Sequence, residues 1–324
     1  MKWSGMGKPI CYNLHGLTIE SNFEKLFPES YATEECVAIP DIQVFLGKFD
    51  LFKKTNSEEK PLMWASRLLL QNLHSKPVKI FYRPYFGRRV GRRFRKLLWE
   101  IIKMKFLESG LTLMHSACIT YDDKGILIIA PAETGKTMTV LKLLKRGFSF
   151  LSDDYILTNG EKAYPIPSGL TIHSLHAQEL NLNFLEKLEI KIRDKILSIP
   201  ILSILISEYK LPPRELPHHI ENVKIIEEAN IHVLTFLERG NSSIKDLDKE
   251  EALKRLKVIG NVHIPLFTEE ILLEYSYYYG YPDFDKLRTT EYSVYEKLVN
   301  SCEKIYLVRT PKKEDYWRHI LDVI

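Results

Sequence analysis

The stretch "ILIIAPAETGKTMTVLKLLKRG", residues 126–147, most constrains what this chain can fold into. Residues 126–130 are all apolar, so a strand there has no wet side and must be covered on both faces. A turn through Pro131-Ala132-Glu133-Thr134-Gly135 follows, and from Thr137 to Arg146 the spacing of apolar residues is helical. Gly147 stands where a left-handed residue ends a helix. A buried strand feeding a glycine turn and a helix demands layers of helix on sheet.

The flanking pattern extends this α/β reading. "LTLMHSACITY" (111–121) reads as a strand, turned at 122–125 into the apolar strand. "FSFLS" (148–152) is the next strand. "YILTNGEKAYPI" (155–166) is a hairpin whose Asn159-Gly160 predicts a type I′ turn with two positive φ angles. Strands at 230–239 and 304–310 and helices at 249–259 and after 312 complete a mixed sheet-and-helix unit. Before it, "CVAIPDIQVFLGKFDLF" (36–52) and "VKIFY" (78–82) read as strands, 63–74 as a short helix or a strand pair with the helix preferred, and 93–107 as a helix. The change of unit falls near Ser109-Gly110. The expectation is therefore a smaller, mostly β N-terminal domain, 1–110, and an α/β domain, 111–324, built on a mixed sheet.

A strand, glycine turn and helix in this order can replace the water around a phosphate with fixed backbone N–H groups. Residues Ala132, Glu133, Thr134, Gly135, Lys136, Thr137 and Met138 are the candidate nucleotide contacts. Lys136 has the reach for the β- and γ-phosphates, and the Thr137 hydroxyl suits Mg²⁺. Ala130 replaces the first glycine of the usual G-x-x-x-x-G-K-[ST] pattern, at a position that turns away from the phosphates. Asp153 and Asp154 end the next predicted strand on the same side of the sheet. Mg²⁺ takes oxygen ligands, and an attacking hydroxyl needs a base, so two adjacent carboxylates cover both needs. Pairing across the 122–125 turn would bring His115 beside the start of the glycine turn. A ligand-orienting histidine and a satisfied core histidine both remain open there.

At 324 residues, 45% hydrophobic and 27% charged, the chain has material for two domains with ample cores. No apolar run is long enough to span a bilayer; "KILSIPILSILI" (195–206) comes nearest and contains Pro200. The first residues lack the apolar centre of a secretory signal. The cysteines at 11, 36, 118 and 302 are far apart and suggest neither a disulfide framework nor a zinc site, which makes a reducing, cytoplasmic compartment the default.

The segment "LMHSACITYDDKGILIIAPAETGKTMTVLKLLKRGFSFLSDD" resembles the catalytic core of HPr kinase/phosphorylase and the wider HPr-kinase-related kinases. The likeness rests on His115-Ser116-Ala117, the glycine turn, Arg146-Gly147 and Asp153-Asp154. It is carried chiefly by residues 111–165, continues through "AYPIPSGL", "YKLPPREL" and "IHVLTFLERG", and is faint before residue 80. "NLHGLTIES" (13–21) is similar to the opening of the related kinases. The resemblance implies a phosphoenolpyruvate-carboxykinase-like fold with a phosphate loop (P-loop). It implies ATP and Mg²⁺ as cofactors, with Lys136 and Thr137 on phosphate and metal. One aspartate, Asp154 first, would be the catalytic base, with Asp153 near the metal and His115 orienting substrate or phosphate. The downstream loop that bifunctional members use for phosphorolysis finds no match here. "LPPRELPHH" (211–219) reads either as a mobile loop bringing Arg214 to transferred phosphate or as an ordinary proline-rich connection.

Charge divides the chain unevenly. Residues 1–110 carry 19 Lys/Arg against 11 Asp/Glu, and the remainder 27 against 31. The excess lies in "YRPYFGRRVGRRFRK" (82–96), with seven basic residues and no acidic one. Arg88, Arg89, Arg92 and Arg93 among aromatic rings suit an anionic acceptor or RNA, or form a solvated surface. Arginines at a helix start oppose its dipole, so solvation alone leaves their density unexplained. The functional expectation is transfer of the γ-phosphoryl of ATP to a hydroxyl of a small molecule or protein serine. The alternative is an RNA-binding kinase, or an ATPase or nucleotide-binding regulator.

Overall fold

The computed structural model describes residues 9–23, 26–47, 62–64, 67–83, 91–166, 168–199 and 208–324. It divides into two compact units, residues 1–110 with 265–291, and residues 111–264 with 292–324.

In the first unit seven strands among the described residues form a mixed sheet: β1 (Ile10–Leu14), β2 (Leu17–Ser21), β3 (Ala32–Thr33), β4 (Ile42–Leu46), β5 (Leu62–Trp64), β6 (Leu68–Gln71) and β7 (Val78–Tyr82). The order is β3-β1-β2-β4-β7-β6-β5, with the parallel pairs β2–β4 and β4–β7 at its centre. Over 63–74, where the sequence reading prefers a helix to a strand pair, the strand pair is what forms: β5 and β6 pair antiparallel. Leu68, Leu69 and Leu70 are all buried. A run buried on every side carries no periodicity from which strand and helix can be told apart. Cys11 and Cys36 are joined in a disulfide, with Cα atoms 5.4 Å apart. This corrects the expectation of unpaired cysteines: hydrogen bonding of β1 to β3 brings the two segments together across 25 residues of sequence.

Helix α1 (Arg92–Glu108) buries Phe94, Leu97, Leu98, Ile101 and Ile102. It also buries Lys103, whose ammonium lies 2.6 Å from the Glu291 carboxylate, both side chains almost fully excluded from solvent. Glu100 accepts hydrogen bonds from the backbone N–H groups of Thr268 and Glu269. These contacts are why residues 265–291 rejoin the first unit, a return the sequence reading of a continuous second domain did not contain.

In the second unit the mixed sheet has nine strands among the described residues: β8 (Thr112–Met114), β9 (Ser116–Tyr121), β10 (Lys124–Ile129), β11 (Ser149–Ser152), β12 (Ile156–Thr158), β13 (Lys162–Pro165), β16 (Ala229–Arg239), β17 (Ser243–Asp246) and β18 (Lys304–Thr310). A separate small pair is formed by β14 (Leu170–Ile172) and β15 (Tyr209–Leu211). The centre is parallel, β10–β16–β18, while β9 and β11 add antiparallel at one side. Alternate side chains of β10 enter opposite cores. Ile126 and Ile128 pack with Val140, Leu141 and Leu144 of helix α2 (Lys136–Leu144). Leu127 and Ile129 pack with Ala252 and Leu256 of helix α5 (Lys249–His263) and with Leu298 and Val299 near the end of helix α7 (Phe284–Ser301). The apolar run is thus covered on both faces, as its composition requires.

Helix α3 (Phe184–Leu197) starts at a capping box, in which Asn183 Oδ1 accepts from Glu186 N and Glu186 Oε2 from Asn183 N. The one-turn helix α4 (Leu216–His219) follows β15. Helix α6 (Glu270–Tyr279) belongs to the returning segment, and α8 (Tyr316–Leu321) ends the described fold. Of the apolar run 195–206, residues 200–206 lie outside the described part. No helix among the described residues is long and apolar enough to cross a membrane.

Two local expectations change. The strand expected over 111–121 breaks at His115: β8 pairs with β12, whereas β9 pairs with β10 and β11. The type I′ turn lies not at Asn159-Gly160 but at Asp122-Asp123, where φ is 47° and 61° and Tyr121 faces Lys124. At 159–162 the loop is longer. Asn159 Oδ1 accepts from the N–H groups of Glu161 and Lys162, and Gly160 alone takes a positive φ, 92°. An Asn side chain that satisfies two downstream amides removes the need for a tight primed turn.

Candidate active site

The second unit's central turn sets the geometry. Strand β10 ends at Ile129, Glu133 and Gly135 take positive φ angles of 59° and 126°, and α2 begins at Lys136. Gly135 is needed for two reasons. Its φ lies where side chains are strained, and a Cβ there would sit 2.7 Å from Lys313 O. The close approach at Gly135 is made by the protein's own chain, the segment leaving β18.

Lys136 folds back over the turn. Its Nζ donates to Ala130 O at 2.9 Å and lies 2.8 Å from His115 Nε2. The pairing Ile129↔Ser116 puts His115 level with the start of the turn, where strand counting expected it. Since an ammonium only donates, His115 Nε2 is the acceptor and Nδ1 carries the hydrogen. Burial, then the charges of Lys136 and His263, push the His115 pKa down to about 3, so the ring is neutral. Its faces are flanked by Tyr155, with centroids 5.4 Å apart, and by His263, at 4.2 Å and 28°.

Thr137 Oγ1 donates to Asp153 Oδ2 at 2.7 Å, linking the first turn of α2 to the end of β11. Asp153 is only 3% exposed, and its Oδ1 has no hydrogen-bond partner among the described residues. Burial, then the neighbouring charge of Asp154, raises the Asp153 pKa to about 7. Burial also lowers the Lys136 pKa, against the pull of Asp153 and Asp154. Asp154 is more open and faces Lys210 Nζ of β15 at 3.4 Å. An oxygen-only pair, hydroxyl and carboxylate with one oxygen unpartnered, fits a hard divalent cation such as Mg²⁺.

The remaining expected residues are placed as follows. Ala132 and Glu133 are exposed at the crest of the turn, while Thr134 and Met138 are buried. Arg214 is exposed in the turn Pro213–Glu215 and makes no hydrogen bond or ion pair among the described residues. Leu211, Leu216 and Ile220 anchor that stretch in the core shared with α2, so it is a packed connection and not a free loop. Arg88 and Arg89, with the side chain of Arg92, lie outside the described residues. Arg93 lies in the first unit, 3.9 Å from the buried Glu269 carboxylate, which Lys96 also approaches at 3.3 Å. Among the described residues nothing there favours RNA. Sequence reasoning missed His263, Lys210 and Lys313, which reach the site from segments far along the chain.

No protein-family model matches the chain, and no curated protein does. Among solved structures, the HPr(Ser) kinase/phosphatase from Coxiella burnetii is similar over 42% of this chain and 77% of that one, at 15% identity and a TM-score of 0.24. That is a distant structural relationship at most.

Proposed function

We propose that the second unit is an ATP-dependent phosphotransferase with an alcohol as acceptor, a hydroxyl of a small molecule or a protein serine. One observation carries the reading. Lys136 and Thr137, at the start of a single helix, meet His115 and Asp153 respectively across 2.8 and 2.7 Å, with Asp154 beside them. This gathers a cation, a hydroxyl and two carboxylates at one strand–turn–helix junction, the set phosphoryl transfer needs.

In this reading the turn is a phosphate loop, and the free amides at the start of α2 hold the phosphates. The Lys136 ammonium, shared in the free protein between Ala130 O and His115 Nε2, exchanges part of that bonding for anionic oxygen. Thr137 and Asp153 hold Mg²⁺, which neutralises charge on the phosphates when bound. Asp154 takes the acceptor's proton as the new O–P bond forms and the bond from the γ-phosphorus to the β,γ-bridging oxygen breaks, leaving ADP. Lys210, at 3.4 Å, pairs with the Asp154 carboxylate and orients it.

The test uses γ-labelled ATP, Mg²⁺ and fractionated cell extract, with the label followed into metabolite, protein or RNA. Lys136→Ala and Asp154→Asn are each expected to reduce transfer by roughly 10²–10⁴-fold. Undiminished transfer by Asp154→Asn would remove the base from this scheme. Slow ATP hydrolysis unaffected by any fraction would favour a nucleotide-binding regulator instead.

A further inference from the structure

We infer that His263 is a positioning residue of this site: its ring holds His115 in the plane from which Nε2 accepts the Lys136 ammonium. The inference deepens the phosphotransferase reading and rests on it only for the expected effect on nucleotide binding.

The His115 ring is held at its edge, by Lys136 at Nε2 and by a hydrogen bond to the Asp154 backbone. Bonds made at the edge of a ring fix points in its plane but not its tilt about the line through them. The tilt is set by what covers the faces. Tyr155 meets His115 obliquely, at 57°, whereas His263 lies nearly flat on it, at 4.2 Å and 28°. An offset, near-parallel stack opposes both tilting and ring rotation.

His263 comes from a rigid source. It is the last residue of α5, whose Ala252 and Leu256 are sunk in the core beneath the sheet. One turn before it, Gly260 lets Tyr295 come so close that a Cβ there would lie 2.5 Å from the phenol oxygen. The end of α5 is thus seated tightly on α7, which fixes where the His263 backbone stands. Burial and the charge of Lys136 both lower the His263 pKa, so the two stacked rings do not repel as cations. Loss of the His263 face would release His115 to tilt, and with it the acceptor that aims Lys136.

The experiment compares wild type, His263→Ala and His263→Phe by ¹⁵N-histidine NMR and by calorimetric binding of Mg·ADP. Wild type and His263→Phe are expected to show His115 as one tautomer, protonated on Nδ1, and His263→Ala to show exchange-averaged His115 signals. Mg·ADP affinity is expected to fall roughly tenfold in His263→Ala and to recover to within about threefold of wild type in His263→Phe, the scale of outer-layer supports in other sites. If His263→Ala fails to fold, His263→Leu, which fills space without an aromatic face, replaces it with the same expectation. Unchanged His115 signals without the ring would overturn the inference. So would a Phe variant as weak as the Ala variant, because ring nitrogens would then be what matters. A wild type that binds Mg·ADP but transfers no label to any fraction sinks the kinase reading alone, since the NMR comparison stands without it.

Discussion

Asp153 combines two demands that oppose each other. Its carboxyl is buried, which favours the neutral form, yet a cation site needs it ionised. Its pKa in the fold, about 7, lies above the ordinary 3.8. The fold therefore prefers the protonated form. The stability this group contributes is full below about pH 4 and is lost as pH rises through about 7. Asp153→Asn keeps an acceptor for Thr137 and removes the charge. It is expected to stabilise the protein by about 1–3 kcal/mol at pH 8 and to leave it unchanged near pH 4, while abolishing transfer. Thermal denaturation at the two pH values checks this. At the same scale, His115 and the two aspartates were legible in the sequence because strand registers can be counted from one turn to the next. His263, Lys210 and Lys313 were not, because each enters from an element whose approach is decided by packing.

Two glycines at the ends of α2 separate conformation from crowding. Gly147 has φ 89° and open space where a Cβ would go, whereas Gly135 has φ 126° and Lys313 O at 2.7 Å. Gly147→Ala is expected to cost about 1 kcal/mol, the left-handed penalty alone. Gly135→Ala is expected to cost about 3 kcal/mol or more and to weaken nucleotide binding, since the turn or the 311–315 segment must shift. Denaturant titration with Mg·ADP binding distinguishes the two. The strand–turn–helix was readable because apolar run, glycine and helical spacing agree. At 63–74 the choice between helix and strand pair went to the wrong one because three consecutive buried leucines fit either. The type I′ turn was misplaced because Asn-Gly is the stronger local signal, yet Asn159 spends its side chain on two amides while Asp122-Asp123 closes the tighter hairpin.

At the scale of the molecule, the chain leaves its first unit at residue 110 and returns to it over 265–291. A charge inside α1 anchors that return. Lys103 would be an unreasonable core residue without the carboxylate 2.6 Å away on Glu291. Glu291→Gln is expected to destabilise the protein by about 3–5 kcal/mol, visible as a lowered denaturation midpoint for the first unit. A lysine in a helical pattern reads as solvent-facing, so neither this pair nor the return of 265–291 could be read from residue types. The Cys11–Cys36 disulfide was equally hidden, and its presence removes the premise on which a reducing compartment was the default.

The contact between Gly135 and Lys313 has a practical consequence. Just beyond Lys313 lies Trp317, the sole tryptophan in the second unit's sequence, with the Arg146 guanidinium 3.5 Å from its ring centre. Any adjustment of the glycine turn is transmitted through four residues of chain to an indole quenched or brightened by that cation. The molecule carries its own optical reporter: with the other three tryptophans replaced, the emission of Trp317 should follow occupancy of the turn in real time, without a label.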